Sequence, residues 1–274
     1  MLLVDLNKHA QTVITRVTQA LLPKTEVIAL VLVGSQTKID GSISPHSDIE
    51  IYSVVSDSEA ESVITELPRI VNTLGSVLFS YKNRWAGFST VFDSLLRLEL
   101  PVITRSQMRS VFSRPKAQTV TVLFDKTAGE LESILAARPQ TIDFAKEFED
   151  SWQDFWYMTI VASQCFAKGE LWNCRHVLEV SLTPAIIRLM CLAQIPQLLL
   201  LERNKRLEGN LAPEQLKLLE RLSPTYEKES IRHALHTSIT LFSRLAKEVR
   251  QKYRFTYTIE IEEKIIPKLQ QLLG

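Results

Sequence analysis

Asp48 and Glu50 stand two residues apart in "SDIEIYSVV", an apolar run that otherwise reads as a buried strand. Residues two apart on a strand point to the same side. The two carboxylates therefore lie side by side, while Ile49 and Ile51 turn into the core. Like charges on one face repel, and a hard divalent cation such as Mg²⁺ relieves that repulsion. Mg²⁺ takes oxygen ligands, commonly one or two carboxylates completed by phosphate oxygens and water. A third carboxylate, Glu99, alternates out of "LLRLELPVI", with Leu96, Leu98 and Leu100 on one face and Arg97 and Glu99 on the other. If the two strands are neighbours, all three carboxylates share one metal site. The Asp-X-Glu pair alone also fits the solvated face of an antiparallel sheet.

The preceding loop favours the chemical reading. Gly34-Ser35 directly follows "EVIALVLV", a short, β-branched apolar run that predicts a buried strand. Glycine lets the chain turn sharply and approach a ligand closely. Backbone N–H groups and the Ser35 hydroxyl are then placed to hold a triphosphate. A phosphate cradle and metal-binding carboxylates on one wall are what nucleotidyl or phosphoryl transfer requires.

Elements that position these groups follow from periodicity. Strands are predicted at "EVIALVLVG", "DIEIYSVV", "SVLFSYK", "LLRLELPVI" and "TVTVLFD". Helices are predicted over Leu3–Leu22, Ser58–Leu74 and Thr127–Ala137, the second opening on a Ser58/Glu61 capping box and bent at Pro68. From about Thr141 the pattern turns to long helices: Asp143–Lys168, Glu170–Ala193, Pro213–Leu222, Tyr226–Lys252 and Ile259–Leu273. "LAARPQT" reads as the linker, with Pro139 as breaker and Thr141 as an N-cap. The fold class is thus α+β: a mixed sheet with flanking helices over 1–138, then an α-helical bundle over 139–274.

Bulk properties narrow the partners. The 274 residues are 45% hydrophobic and 23% charged, a balance that buries a real core. With a net charge of +1, nothing argues electrostatically for nucleic acid or a membrane surface. The N-terminus lacks a secretory pattern. The most apolar stretch, Thr183–Leu201, contains Arg188, Gln194, Pro196 and Gln197 and reads as a buried helix. Cys165, Cys174 and Cys191 form no CxxC pair, which predicts buried thiols and a cytoplasmic protein.

Gly34-Ser35 followed by "SDIEI" (Ser47–Ile51) resembles the signature of the nucleotidyltransferase superfamily that includes DNA polymerase β: an apolar strand, Gly-Ser, a loop, then Asp-X-Asp or Asp-X-Glu. Its third carboxylate lies on a later strand, matched by Glu99, with Asp93 as fallback. "TVLFDKTAGELE" (Thr121–Glu132) and "FWYMTIVASQCFAKGELWNCRHVLE" (Phe155–Glu179) are similar to segments of aminoglycoside 6-adenylyltransferases and lincosamide nucleotidyltransferases. Two departures stand out: "GSQTKID" replaces the "GSxARG" pattern, so that Lys38 stands in for the arginine, and Glu50 replaces the commoner Asp.

The resemblance implies two Mg²⁺ ions on Asp48, Glu50 and Glu99, and ATP or another nucleoside triphosphate held by Gly34, Ser35, Lys38 and Ser47. It also implies a general base at Glu170, although a glutamate in a first helical turn is favoured by the dipole anyway. The expected reaction moves AMP to a hydroxyl of a small, aminoglycoside-like acceptor lying between the two domains, in a monomer or homodimer. Of Trp152, Phe155, Trp156 and Trp172, about one is expected to line a ligand site, since aromatics at helical spacing are more often core. His233 and His236 read as an inter-helix or surface pair, His46 as a solvated loop residue, and "EIEEK" near the C-terminus as an exposed face. A protein acceptor, a catalytically silent nucleotide-binding module and, more weakly, a polymerase are the rival readings.

Overall fold

The computed structural model describes residues 6–37, 44, 46–83, 86–113, 119–138, 142–200, 207–255 and 260–274. The chain divides into two compact units, Met1–Gln140 and Thr141–Gly274.

The first unit runs α1 (Leu6–Leu21), β1 (Val27–Val33), β2 (Ile49–Val55), α2 (Ala60–Val71), β3 (Val77–Asn83), β4 (Gly87–Phe92), β5 (Arg97–Thr104), α3 (Arg105–Phe112), β6 (Val120–Asp125) and α4 (Glu130–Ala136). The six strands form one sheet in the order β3-β4-β5-β2-β1-β6. Only β2 and β5 pair parallel; the other neighbours are antiparallel. A parallel pair needs a crossover, supplied here by α2 and the β3–β4 hairpin.

The sheet is covered on both faces at its centre, and β1 therefore reads as an unbroken apolar run. One face packs Leu30, Leu32, Ile49, Ile51, Leu98 and Leu100 against α1 and α2. The other packs Val31, Val54 and Ile103 against Met108 and Phe112 of α3 and Leu131 and Ile134 of α4. On that second face the apolar cover lies towards the C-terminal ends of β2 and β5. Their N-terminal ends carry the carboxylates.

One local expectation is corrected, and two elements were not anticipated. The Ser58/Glu61 capping box does not form: a 3₁₀ turn over Asp57–Glu59 leads into α2, and the Ser58 hydroxyl bonds to Glu59. Strand β4, "GFSTVF", was not predicted, because Ser89 and Thr90 break its apolar pattern although both are buried. Helix α3 was also not predicted; its start is fixed by the Gln107 side chain accepting the Thr104 N–H at 3.0 Å.

The second unit runs α5 (Phe144–Ala167), α6 (Leu171–Val177), a π-helical turn (Leu178–Leu182), α7 (Thr183–Gln194), α8 (Pro213–Glu220), α9 (Lys228–Tyr253) and α10 (Glu260–Leu273). Asp143 caps α5 by accepting the Lys146 N–H at 3.0 Å, while Thr141 lies outside the described residues. The core stacks Phe155 on Phe242 at 3.6 Å, with Trp156 edge-on to both. Leu171–Gln194 is long and apolar enough to span a membrane by length and composition, but 56% of its most apolar window is buried within the protein, as a core helix would be. The three cysteines are free and buried. Burial pushes the Cys174 thiol up to about 12 and Cys191 up to about 11.

Candidate active site

Strand register assembles the site. Ile49 pairs with Leu98 and Glu50 with Glu99 on the parallel β2/β5 ladder. Glu99 pairs in turn with Ser89 on β4, and Glu50 with Val33 on β1. One row across the sheet therefore reads Ser89–Glu99–Glu50–Val33, and the next residue after Val33 is Gly34. Asp48 and Arg97 each stand two residues before this row, on the same face. Their side chains form an ion pair, Arg97 Nη2 to Asp48 Oδ2 at 3.0 Å. Two successive cross-strand pairs thus carry opposite charge at Asp48–Arg97 and like charge at Glu50–Glu99.

Glu99, rather than Asp93, is the residue beside Glu50. Asp93 sits in the β4–β5 turn, hydrogen-bonded to the Ser76 hydroxyl. The carboxylate set fits a hard, oxygen-seeking divalent cation: Glu50 and Glu99 are adjacent and half-buried, and Asp48 lies on the same face within one strand period. Among the described residues no three histidine, cysteine or carboxylate side chains form a ready-made cluster, so phosphate oxygens and water would have to complete the coordination. The three share a face, with Asp48 turned onto Arg97.

Gly34 has φ +81°, the left-handed region that favours glycine, and its missing Cβ faces open space. It starts a 3₁₀ turn over Gly34–Thr37. The Gly34 N–H donates to the Thr119 carbonyl at 3.1 Å. The Gly34 carbonyl accepts from Thr37 Oγ1 at 2.7 Å. Both backbone groups of Gly34 are thereby taken up in fixing the turn that presents the half-buried Ser35. Gln36, only 5% exposed, donates from Nε2 to the Ser47 carbonyl at 3.4 Å and so ties this turn to the residue preceding Asp48. Lys38 lies outside the described residues.

"LFDK" is structural in this chain. Lys126 donates to the carbonyls of Leu22, Lys24 and Val27 at 2.7, 2.7 and 3.0 Å, clipping β6 to the α1–β1 connection.

Glu170 belongs to the second unit, exposed at the start of α6, after Gly169 at φ +77°. Its carboxylate adds to burial, the larger cause, in raising the Cys165 thiol above the ordinary range. Trp152, Phe155 and Trp156 are 8%, 0% and 2% exposed and belong to the core, whereas Trp172 is 70% exposed. Trp172 stands edge-on to Tyr226 at 5.0 Å and borders an open groove with Asn173, Arg175, His176 and Glu179. His46 is exposed. His236 lines a shallow groove beside Leu218, and His233 is exposed. The acidic C-terminal face is not wholly solvated, since Glu262 accepts the Trp152 Nε1–H at 3.0 Å.

Asn83, Ser89, Arg97 and Gln36 were not singled out from sequence. The alternation of Arg97 with Glu99 was visible, but which strand lay opposite was not.

The sheet thus brings the Gly34-Ser35 turn, Glu50 and Glu99 together at its centre. The sequence matches the streptomycin adenylyltransferase family model over residues 8–272, and the chain belongs to that family. It is therefore an enzyme of the small-molecule nucleotidyltransferase kind. Among solved structures it is similar to an aminoglycoside 6-adenyltransferase from Bacillus subtilis, at 16% identity and TM-score 0.46, covering 96% of this chain and 97% of that one. A nucleotidyltransferase-like protein from Exiguobacterium sibiricum aligns at 13% identity and TM-score 0.36, over 98% of this chain and 88% of that one. No curated protein matches the sequence.

Proposed function

We propose that the enzyme transfers AMP from ATP to a hydroxyl of a small, aminoglycoside-like molecule. The observation that carries this is the Glu50–Glu99 register pair, set one residue from the Gly34-Ser35 turn. The acceptor oxygen forms a bond to the α-phosphorus, the bond from that phosphorus to the β-bridging oxygen breaks, and pyrophosphate leaves.

Glu50 and Glu99, with Asp48, are the residues that would hold Mg²⁺, two ions in our reading. Bound there, the metal neutralises triphosphate charge and lowers the pKa of the attacking hydroxyl. The Ser35 and Ser47 hydroxyls orient phosphate oxygens, and Lys38 is assigned to the same phosphates from sequence. Glu170 takes the acceptor proton onto a carboxylate oxygen; its exposure at the start of α6 leaves it open to a ligand. Trp172, the exposed member of the aromatic set, offers a stacking face two residues further on. Three buried free thiols suit the cytoplasm.

The test is pyrophosphate release with ATP and Mg²⁺ across aminoglycosides and other hydroxylated small molecules, comparing wild type with Asp48→Asn. Release that needs one acceptor and is lost in the variant supports the reading. If neither acceptor-dependent release nor Mg²⁺-dependent ATP binding occurs, the carboxylates are a solvated strand face and the reading fails.

A further inference from the structure

Glu99 is gripped from one side by a buried polar chain. Ser89, its register partner on β4, donates from Oγ to Glu99 Oε2 at 2.6 Å. Asn83, at the end of β3, reaches the same oxygen from Nδ2 at 3.4 Å and donates to Ser89 Oγ at 3.1 Å. Ser89 is 5% exposed and Asn83 7%.

The direction of this chain is fixed. An amide side chain has one donor end and one acceptor end, and its partners decide which way it points. The Gly87 N–H donates to Asn83 Oδ1 at 3.2 Å, so the amino end must face Ser89 and Glu99. Each N–H and O–H in the chain then runs towards Oε2. Gly87 itself is required, because a Cβ there would lie 2.2 Å from the Leu100 carbonyl oxygen. The hairpin packs its backbone against β5 at the point where Asn83 and Ser89 meet Glu99.

We infer that Asn83 and Ser89 are positioning residues of the transfer reaction. They hold Glu99 through Oε2 and leave Oε1, which has no protein donor among the described residues, as the oxygen paired with Glu50 for the cation. This rests on the proposed role of Glu99. A purely structural role predicts the same buried hydrogen bonds but no effect on cation binding. Partners behind a metal-binding side chain typically change metal affinity about 10- to 100-fold when removed.

The experiment measures Mn²⁺ binding to the enzyme without nucleotide, by electron paramagnetic resonance, alongside thermal melting and the split between kcat and KM. Ser89→Ala is expected to weaken Mn²⁺ binding about tenfold and lower kcat, whereas Ser89→Thr, which keeps the hydroxyl, stays within about twofold of wild type. Asn83→Ala gives a smaller loss in the same direction and provides a second reading if Ser89→Ala folds poorly. If both alanine variants bind Mn²⁺ like wild type while Glu99→Gln loses it, the positioning role is overturned and the carboxylate site stands. If Ser89→Thr is as impaired as Ser89→Ala, the hydroxyl is not the cause and the inference falls. If Glu99→Gln itself keeps full Mn²⁺ binding, Glu99 is not a ligand, and the inference fails together with that part of the proposed function.

Discussion

Removing Arg97 separates competition from support at the carboxylate face. Its guanidinium lies 3.0 Å from Asp48, and the two side chains are 57% and 42% exposed. Exposed ion pairs of this kind contribute about 0.2–1 kcal/mol, and salt screens them. In Arg97→Ala, Asp48 no longer has its protein partner and the face keeps three carboxylates with one positive charge fewer. Without divalent cation the variant should melt at most about 5 °C lower, the shift expected for up to 1 kcal/mol in a unit of this size. Mg²⁺ should bind more tightly, because Asp48 no longer has to be detached from Arg97. That same 0.2–1 kcal/mol corresponds to about 1.4- to 5-fold in affinity. Isothermal titration with Mg²⁺ at low ionic strength, repeated at high salt, reads both effect and screening. Weaker Mg²⁺ binding in Arg97→Ala would refute the reasoning, since Arg97 would then be orienting Asp48 for the cation.

Glu50→Gln should change urea stability by no more than about 1 kcal/mol, the scale of one cross-strand charge pair, while pyrophosphate release is lost. Gly34→Ala must place a Cβ at φ +81° in open space and should lose about 1–2 kcal/mol in urea titrations but still fold. Gly87→Ala, which collides with the Leu100 backbone, should not yield a native near-ultraviolet dichroism spectrum. The Cys174 and Cys191 thiols, raised to about 12 and about 11, stay protonated in the native state, so Ellman's reagent at pH 8 should label them only after denaturant is added. Because the folded values lie above the ordinary value of 9.0, the stability these groups lend is whole below pH 9 and drains away as pH rises towards 11–12; melting temperature against pH should fall in that window.

Periodicity reached the sheet's centre and the long helices. Strands β1, β2 and β5 are short apolar or alternating runs whose burial matches their pattern, and α5 and α9 repeat apolar residues at helical spacing. Strand β4 was missed because its buried Ser89 and Thr90 look like surface residues in a linear reading. Asp48 and Glu50 were legible because a same-face pair is a local property of one strand. The Glu50–Glu99 pairing and the grip of Ser89 on Glu99 are properties of register between strands, which no local pattern encodes. Gly34 was legible as a turn, but the use of its N–H by Thr119 was not, because that partner comes from β6's approach, 85 residues on.

The parallel pairing of β2 with β5 also bears on the order in which the row of carboxylates is expected to assemble during folding. Hairpins β3–β4 and β4–β5 close over short loops and can form early, bringing Ser89 to Glu99 within a few turns of chain. Asp48 and Arg97 are 49 residues apart, and their ladder cannot zip until the intervening helix and hairpin are in place. On loop-closure grounds the strand edge bearing Glu99 is expected to close before the strand bearing Asp48 and Glu50 docks onto it. If the proposed cation site is right, Mn²⁺ binding during refolding should return only with the phase in which β2 pairs with β5.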